Sequence, residues 1–294
     1  MEKIFIGTAG WSYKDWVTNF YPKSQSVTFD WLEYYSQYFN VVEVNSTYYT
    51  YINPKVVEGW INKVEENKDF LFTIKLHQDF THKRNFNDEH IKSVRSNLDI
   101  LEKSNRLGGL LIQFPYSFVL NKENADHLKK LVDIFSEYNK FLELRHESWL
   151  IDRFFEFAKS NKITICTIDQ PVLGKAIAFK PLAIGENLYI RFHGRNEKAW
   201  RASITNFGKQ QTYSEQSERY NYLYSPGELI EIEQKIREVL DTIKKIFIIM
   251  NNHPNGNAVA NALEMLHLLT NRTKINVPEN TLKAFPRLSK ISLN

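Results

Sequence analysis

Carboxylates, cations and imidazoles recur in this chain two residues apart, inside short apolar runs. Residues 41–45 pair Glu43 with Asn45. Residues 72–77 align Thr73, Lys75 and His77, and residues 142–145 align Glu143 with Arg145. Arg191 stands two before His193, and Asn251 two before His253. Asp169 closes a sixth run and Gln113 nearly closes a seventh. A spacing of two puts side chains on one face of a strand. Glu43, His77, Glu143, Asp169 and His193 are therefore the candidate acids and bases, since carboxylates and imidazoles are the usual proton carriers. Lys75, Arg145 and Arg191 supply positive charge for a phosphate, a carboxylate or an oxyanion. Arg195, Asn45, Gln113, Asn251 and His253 add hydrogen-bonding capacity, and Trp11 and Tyr13 offer rings for stacking. Opposed charges gathered in one place push pKa values apart, which is what acid–base chemistry requires.

The elements that must carry these residues alternate. Runs rich in β-branched and aromatic residues lie at 4–7, 41–45, 70–77, 110–114, 141–145, 163–169, 188–193 and 246–251. Amphipathic stretches fall between them near 27–39, 54–66, 88–105, 122–138, 150–160, 228–244 and 257–270. Asp88, Asn121 and Asn257 are expected helix caps. Eight strands separated by helices imply parallel pairing through right-handed crossovers. With no dinucleotide glycine fingerprint, closure into a single (β/α)8 barrel over residues 1–294 is favoured over an open doubly wound sheet. The apolar parity of each strand must meet the helices, because ionised groups buried there would cost several kcal/mol each (roughly). The polar parity then points into the lumen at the carboxyl ends of the strands, where barrels of this class build their sites. Two crossovers are irregular. Residues 170–187 show little helical pattern. The connection 194–227 is long, carries Arg195, Trp200, Arg201, Tyr213, Arg219, Tyr220, Tyr222 and Tyr224, and reads as a lid or binding loop.

Other aromatic residues, Trp16, Tyr48, Tyr49 and Trp149, are expected at the pocket mouth or in a rim beneath its loops. The turn Asn255-Gly256-Asn257 is expected to open the last helix as an anion site.

Composition narrows the class. The chain of 294 residues is 43% hydrophobic and 24% charged, an ordinary globular balance. A formal charge of +4 and a pI near 8.8 suit an anionic ligand and fall short of a nucleic-acid signature. The lone cysteine, Cys166, excludes an internal disulfide framework and fits a reducing, cytoplasmic setting. No targeting segment is read at the amino terminus, and no apolar run approaches a membrane span. No Walker loop is present. No cofactor is expected. A divalent metal held by Glu, Asp and His is the lesser alternative, because the lumen cations oppose it.

Several of these segments together resemble the YecE-like family, the domain of unknown function 72. The matching pieces are Gly7-Thr8-Ala9-Gly10-Trp11-Ser12-Tyr13, Phe20-Tyr21-Pro22, and Val42-Glu43-Val44-Asn45-Ser46-Thr47-Tyr48-Tyr49. Gln113-Phe114-Pro115, Glu143-Leu144-Arg145-His146-Glu147-Ser148-Trp149 and Arg191-Phe192-His193-Gly194-Arg195 follow, then Asn251-Asn252-His253 with Ala258 and Asn261-Ala262. Ala9 stands where serine is common in the family, and Phe114 where leucine is common. The resemblance implies a TIM-barrel-like fold and no established activity, so no residue role is carried over from it.

The expected function is an enzyme, of hydrolase or isomerase/lyase type, acting by acid–base chemistry on a small anionic ligand that is phosphorylated or sugar-like. A nucleic-acid-binding protein or phosphodiesterase is the first alternative. A non-catalytic ligand-binding barrel is the second.

Overall fold

The computed structural model describes residues 3–205 and 212–293. Its centre is a closed barrel of eight parallel strands in sequence order. These are β1 (Lys3–Ala9), β2 (Val41–Val44), β3 (Leu71–Lys75), β4 (Leu107–Gln113), β5 (Lys140–Glu143), β6 (Ile163–Asp169), β7 (Asn187–Phe192) and β8 (Lys245–Met250). All eight strands expected from the sequence are present, and β6 has the expected bounds. The chain forms a (β/α)8 barrel. No helix among the described residues is long and apolar enough to cross a membrane.

Helices cover the outside. The longest are Pro54–Lys63, Asp88–Lys103, Lys122–Ile134, Pro226–Leu240 and Asn257–Leu269. The first four start where a side chain caps free backbone N–H groups. The Asn121 side chain accepts from the Asn124 N–H, as anticipated. Two caps fall one residue earlier than expected: Asn87, not Asp88, accepts from the His90 N–H, and Gly256 precedes the helix that Asn257 begins. Ser225 and Glu228 form a reciprocal capping box, with Pro226 at the first helical position, where its missing N–H costs nothing. Residues 170–186, between β6 and β7, form no helix. The connection after β7 contains the helix Glu197–Thr205 and a 3-10 turn at Glu218–Tyr220. Part of it, 206–211, lies outside the described residues.

The strands separate two cores by parity. Outward residues such as Val42, Val44, Ile74, Leu142, Ile190 and Ile248 join the large core beneath the helices. Inward residues Phe5, Ala9, Val41, Leu111, Phe141, Cys166, Tyr189, Phe247 and Ile249 form a second cluster inside the barrel. At its base four rings pack together. Phe5 stacks on Phe247 at 4.9 Å and Phe141 on Tyr189 at 4.2 Å, with Phe141 and Phe247 5.1 Å apart. This aromatic layer closes the amino-terminal end of the lumen. Every inward position nearer the carboxyl end on β2, β5 and β7 is polar, so the site rests on it.

Candidate functional site

Immediately above the aromatic layer, one guanidinium holds two carboxylates. Parallel register places Glu43 beside Thr73 and Gln113 beside Glu143. Arg191 reaches across the lumen from β7. Its Nε donates to Glu43 Oε2 at 2.9 Å and its Nη2 to Glu43 Oε1 at 2.6 Å, a bidentate pairing. Its Nη1 donates to Glu143 Oε2. Tyr189 Oη donates to Glu43 Oε2 at 2.8 Å and lies 3.0 Å from Thr73 Oγ1, which ties the floor to the charges. Glu43, Glu143 and Arg191 are all at most 2% exposed. Isolated charges there would be costly, and full mutual pairing makes their burial tolerable. Arg191 and Arg145 hold the Glu143 carboxyl well below the usual range, against the opposing effect of burial. It is a fixed anion, not a proton donor, at neutral pH.

One layer higher sit Arg145, His193, Asn251, Lys75 and Gln113. Arg145 Nε donates to Glu143 Oε1 at 2.8 Å. Asn251 Nδ2 lies 2.8 Å from His193 Nδ1, which makes Nδ1 the acceptor and leaves the proton on Nε2, 3.6 Å from Glu143 Oε2. His193 is fully buried, and desolvation outweighs the pull of Glu143, lowering its pKa to about 3. His193 is therefore neutral under ordinary conditions and orients its neighbours. Burial likewise takes His253 down to about 4 against the opposing charge of Asp15. The unfolded chain takes up a proton on each imidazole near pH 6.5, and the folded chain takes it up only near 3 or 4. Stability is then full above pH 6.5 and falls by about 1.4 kcal/mol per pH unit for each such histidine as the pH drops below it. Denaturant titrations at pH 7, 6 and 5 should show this slope, and His193→Gln should remove one proton's share of it.

Lys75 is different from the groups below it. It ends β3, is half-buried, and its Nζ lies 4.2 Å from the centroid of the Tyr48 ring. Desolvation first, then repulsion from Arg191, take its pKa down to about 7, with Glu43 and Glu143 opposing the shift. It stands on the wall of a cavity of about 830 Å³ at the carboxyl end of the barrel. Among the described residues the cationic side chains on that wall are Lys75, Arg145, Arg201 and Arg219, and none lining it is a carboxylate. Arg219 lies over the rings of Trp200 and Tyr220, at 5.3 and 4.8 Å, and donates to Ser203 Oγ at 3.2 Å. Three lining residues carry a buried polar atom that has no hydrogen-bond partner: Gln170 Oε1, Trp200 Nε1 and Arg219 Nε. Buried polar atoms are seldom left so.

Not every residue expected at this mouth reaches it. Asp169 shares its strand face with Ile165 and Thr167, opposite to Cys166 and Ile168, so it points out of the lumen. There it accepts both Arg195 Nε at 2.9 Å and Arg195 Nη2 at 2.7 Å, and Tyr224 Oη at 2.6 Å. Arg195 also reaches Glu228 Oε1 at 3.2 Å. This group fastens the connection after β7 to the barrel wall. Gly194 begins that connection at φ +84°, and a Cβ there would stand 2.8 Å from Tyr222 Cβ, so the turn requires glycine. His77 lies beyond the end of β3, where the chain turns into the helix Gln78–Thr81. Its Nδ1 accepts from the Asp79 N–H, and its ring stacks on Tyr51 at 4.0 Å.

The first loop also packs instead of opening. Trp11 meets Trp60 edge to face, and Tyr13 stacks on His253 at 4.6 Å while donating to the Ala9 carbonyl. Trp16 is buried with Nε1 on the His253 carbonyl, and Trp149 is buried with Nε1 on the Phe118 carbonyl. Asn45 follows β2 with a buried Oδ1 that has no partner among the described residues, and Gln113 lines the cavity with Nε2 on the Phe114 carbonyl. At the turn before the last helix, the Asn255 N–H already donates to Asp15 Oδ2 at 2.7 Å, so a carboxylate of the chain itself sits where an anion was expected.

Among the described residues no group of three or more His, Cys, Asp or Glu side chains is arranged to hold a metal ion. The oxygens of Glu43 and Glu143 face guanidinium and hydroxyl donors instead. Sequence reasoning passed over Tyr189, His82, Tyr116 and Gln170. Only Tyr189 carried a signal, since it lies two residues before Arg191 on the same face.

Comparisons with known proteins bear on the whole chain. The model of the family described as "Protein of unknown function DUF72" matches residues 5–284. The UPF0759 protein YunF of Bacillus subtilis is 30% identical over 278 residues, covering 90% of this chain and 94% of that protein. A crystal structure of a DUF72 family protein from Thermotoga maritima superposes with a TM-score of 0.78 at 30% identity, covering 92% of this chain and 100% of the other. One from Enterococcus faecalis gives 0.75 at 24% identity, covering 91% and 95%, and supports the fold alone.

Proposed function

The chain belongs to the DUF72 family, a membership that brings a fold and no assigned reaction, and from it we propose an enzyme that binds a small anionic substrate in the barrel mouth and moves a proton through Lys75. One observation carries this reading: among the described residues the cavity wall presents Lys75, Arg145, Arg201 and Arg219 and no carboxylate. Arg145 pairs with Glu143 and Arg201 with Glu197, whereas Lys75 and Arg219 have no carboxylate partner among the described residues, so their positive charge is open to an anion from outside. Arg219 supports it further, being held in place by two rings while its Nε lacks an acceptor. A guanidinium fixed before the ligand arrives loses little freedom on binding.

Proton transfer falls to Lys75 by elimination among the buried groups. Glu143 is locked as an anion and His193 as a neutral ring, whereas Lys75 at about 7 populates both states near neutral pH. The two lumen carboxylates are matched by Arg145 and Arg191, so Lys75 gains or loses its proton without a carboxylate of its own. An isomerase- or lyase-type reaction suits a single base above a charge-balanced bed. The lone, buried Cys166 supports a reducing, cytoplasmic setting.

Calorimetry with inorganic pyrophosphate tests the anion site. Saturable binding that weakens on adding salt is expected. Arg219→Gln should weaken it about tenfold or more, the usual worth of one charge-assisted contact. No binding, or binding indifferent to Arg219, would remove the reading. One observation favours a second reading. Tyr49 on the cavity wall is 69% exposed, in the manner of a ring on which a base of a single-stranded nucleic acid stacks. That ligand would show a far steeper salt dependence than pyrophosphate.

A further inference from the structure

Two lysines stand at the ends of barrel strands, and they differ in how their charge is met. Lys140, at the start of β5, is 4% exposed, and its Nζ donates to the carbonyls of Phe135, Ser136 and Tyr138 at 3.4, 3.2 and 2.9 Å. Its three protons are used, and it is a structural cation. The Nζ of Lys75, at the end of β3, makes no hydrogen bond or ion pair with any described residue, and it lies 4.2 Å from the centroid of the Tyr48 ring. An ammonium needs three acceptors. A neutral amine in an open cavity needs none, and its lone pair is available.

We propose that Lys75 is a covalent nucleophile, whose Nζ condenses with the carbonyl carbon of a small aldehyde or ketone that also carries a phosphate or carboxylate held by Arg145 and Arg219. The inference rests on the reading of the mouth as an anion site and adds the functional group on which the chemistry occurs. Lysines that form such adducts are desolvated or placed beside other cations, and Lys75 is both. Arg145 and Arg191 supply the neighbouring charge.

The step balances with water as its only by-product. The Nζ lone pair forms the C–N bond while the C=O π pair moves to oxygen, which takes a proton from the water-filled cavity. Nζ loses a proton to give the neutral carbinolamine. The hydroxyl then leaves as water after a second protonation, and the nitrogen lone pair forms the C=N bond. The resulting iminium draws electrons from an adjacent C–H or C–C bond. Glu143, held as an anion, stabilises the positive nitrogen without accepting its proton. No oxidant or further reactant is needed.

The test uses the whole wild-type chain with glycolaldehyde phosphate and cyanoborohydride, which reduces any imine to a stable amine, followed by peptide mass mapping. The expected result is an adduct at Lys75 at least about tenfold above that at any other lysine, as for an amine of lowered basicity beside cations. Inorganic pyrophosphate should suppress it. Adduct spread evenly over surface lysines, or absent from Lys75, overturns the proposal. Parallel labelling with uncharged glycolaldehyde separates the two ideas. Labelling of Lys75 by both aldehydes, with pyrophosphate neither binding nor protecting, keeps the nucleophile and removes the anion site. Pyrophosphate binding with neither aldehyde reaching Lys75 keeps the anion site and removes the nucleophile.

Discussion

Exchanging Arg191 for methionine is expected to cost about 3–5 kcal/mol, because it strands two buried carboxylates that no water reaches. Glu43 receives both a bidentate guanidinium and the Tyr189 hydroxyl, and Glu143 would keep Arg145 and the His193 ring. Urea unfolding at pH 7 would show the loss as a lower midpoint at unchanged slope. Joining Glu43→Gln and Glu143→Gln to Arg191→Met should restore much of the stability, since an uncharged set needs no counterion. The pair of measurements separates a charge effect from a packing effect. A cost below about 1 kcal/mol for the single change would mean that solvent enters the lumen and screens the carboxylates, as at a surface ion pair.

Lys75 should be the fastest-reacting lysine toward a trace of acetic anhydride at pH 7. About half its amine is free at that pH, against roughly one part in 2,500 for an ordinary lysine of pKa 10.4. Lower basicity also lowers intrinsic nucleophilicity, with a proportionality of roughly 0.4–0.5 as seen for thiols, so the net advantage is about thirtyfold. Competitive labelling across pH 5–10 with peptide mapping reads both the rate and the titration midpoint. A midpoint near 10 would return Lys75 to the ordinary ammonium and leave the mouth with no group that titrates near neutrality.

The barrel and its charged lumen were legible from period-two patterning, because the inner and outer faces of a strand have opposite requirements. Glu43, Glu143, Arg145, Arg191 and His193 all converge for that reason. The rule fails where its premise ends. Parity was extended to His77, but β3 stops at Lys75, and beyond it a helical turn sets the direction. Asp169 looked like a lumen residue because it ends a strand. Counting along β6 from Cys166, however, puts it on the other face, where Arg195 and Tyr224 come from 26 and 55 positions away in the chain. Such partners leave no mark in local sequence. The cavity wall was partly legible, since the loop bearing Trp200, Arg219 and Tyr220 stood out by length and composition. Which of its residues face inward depends on tertiary packing, and composition alone does not fix that.

The four stacked rings at the base of the lumen make the tube blind-ended. Anything that enters the mouth must leave by the same door. Protons exchanged by Lys75 likewise reach bulk solvent only upward, past the loops. A bound molecule that fills the opening would seal off that exchange, and a proton taken from it would be held in place, available for return to the same molecule.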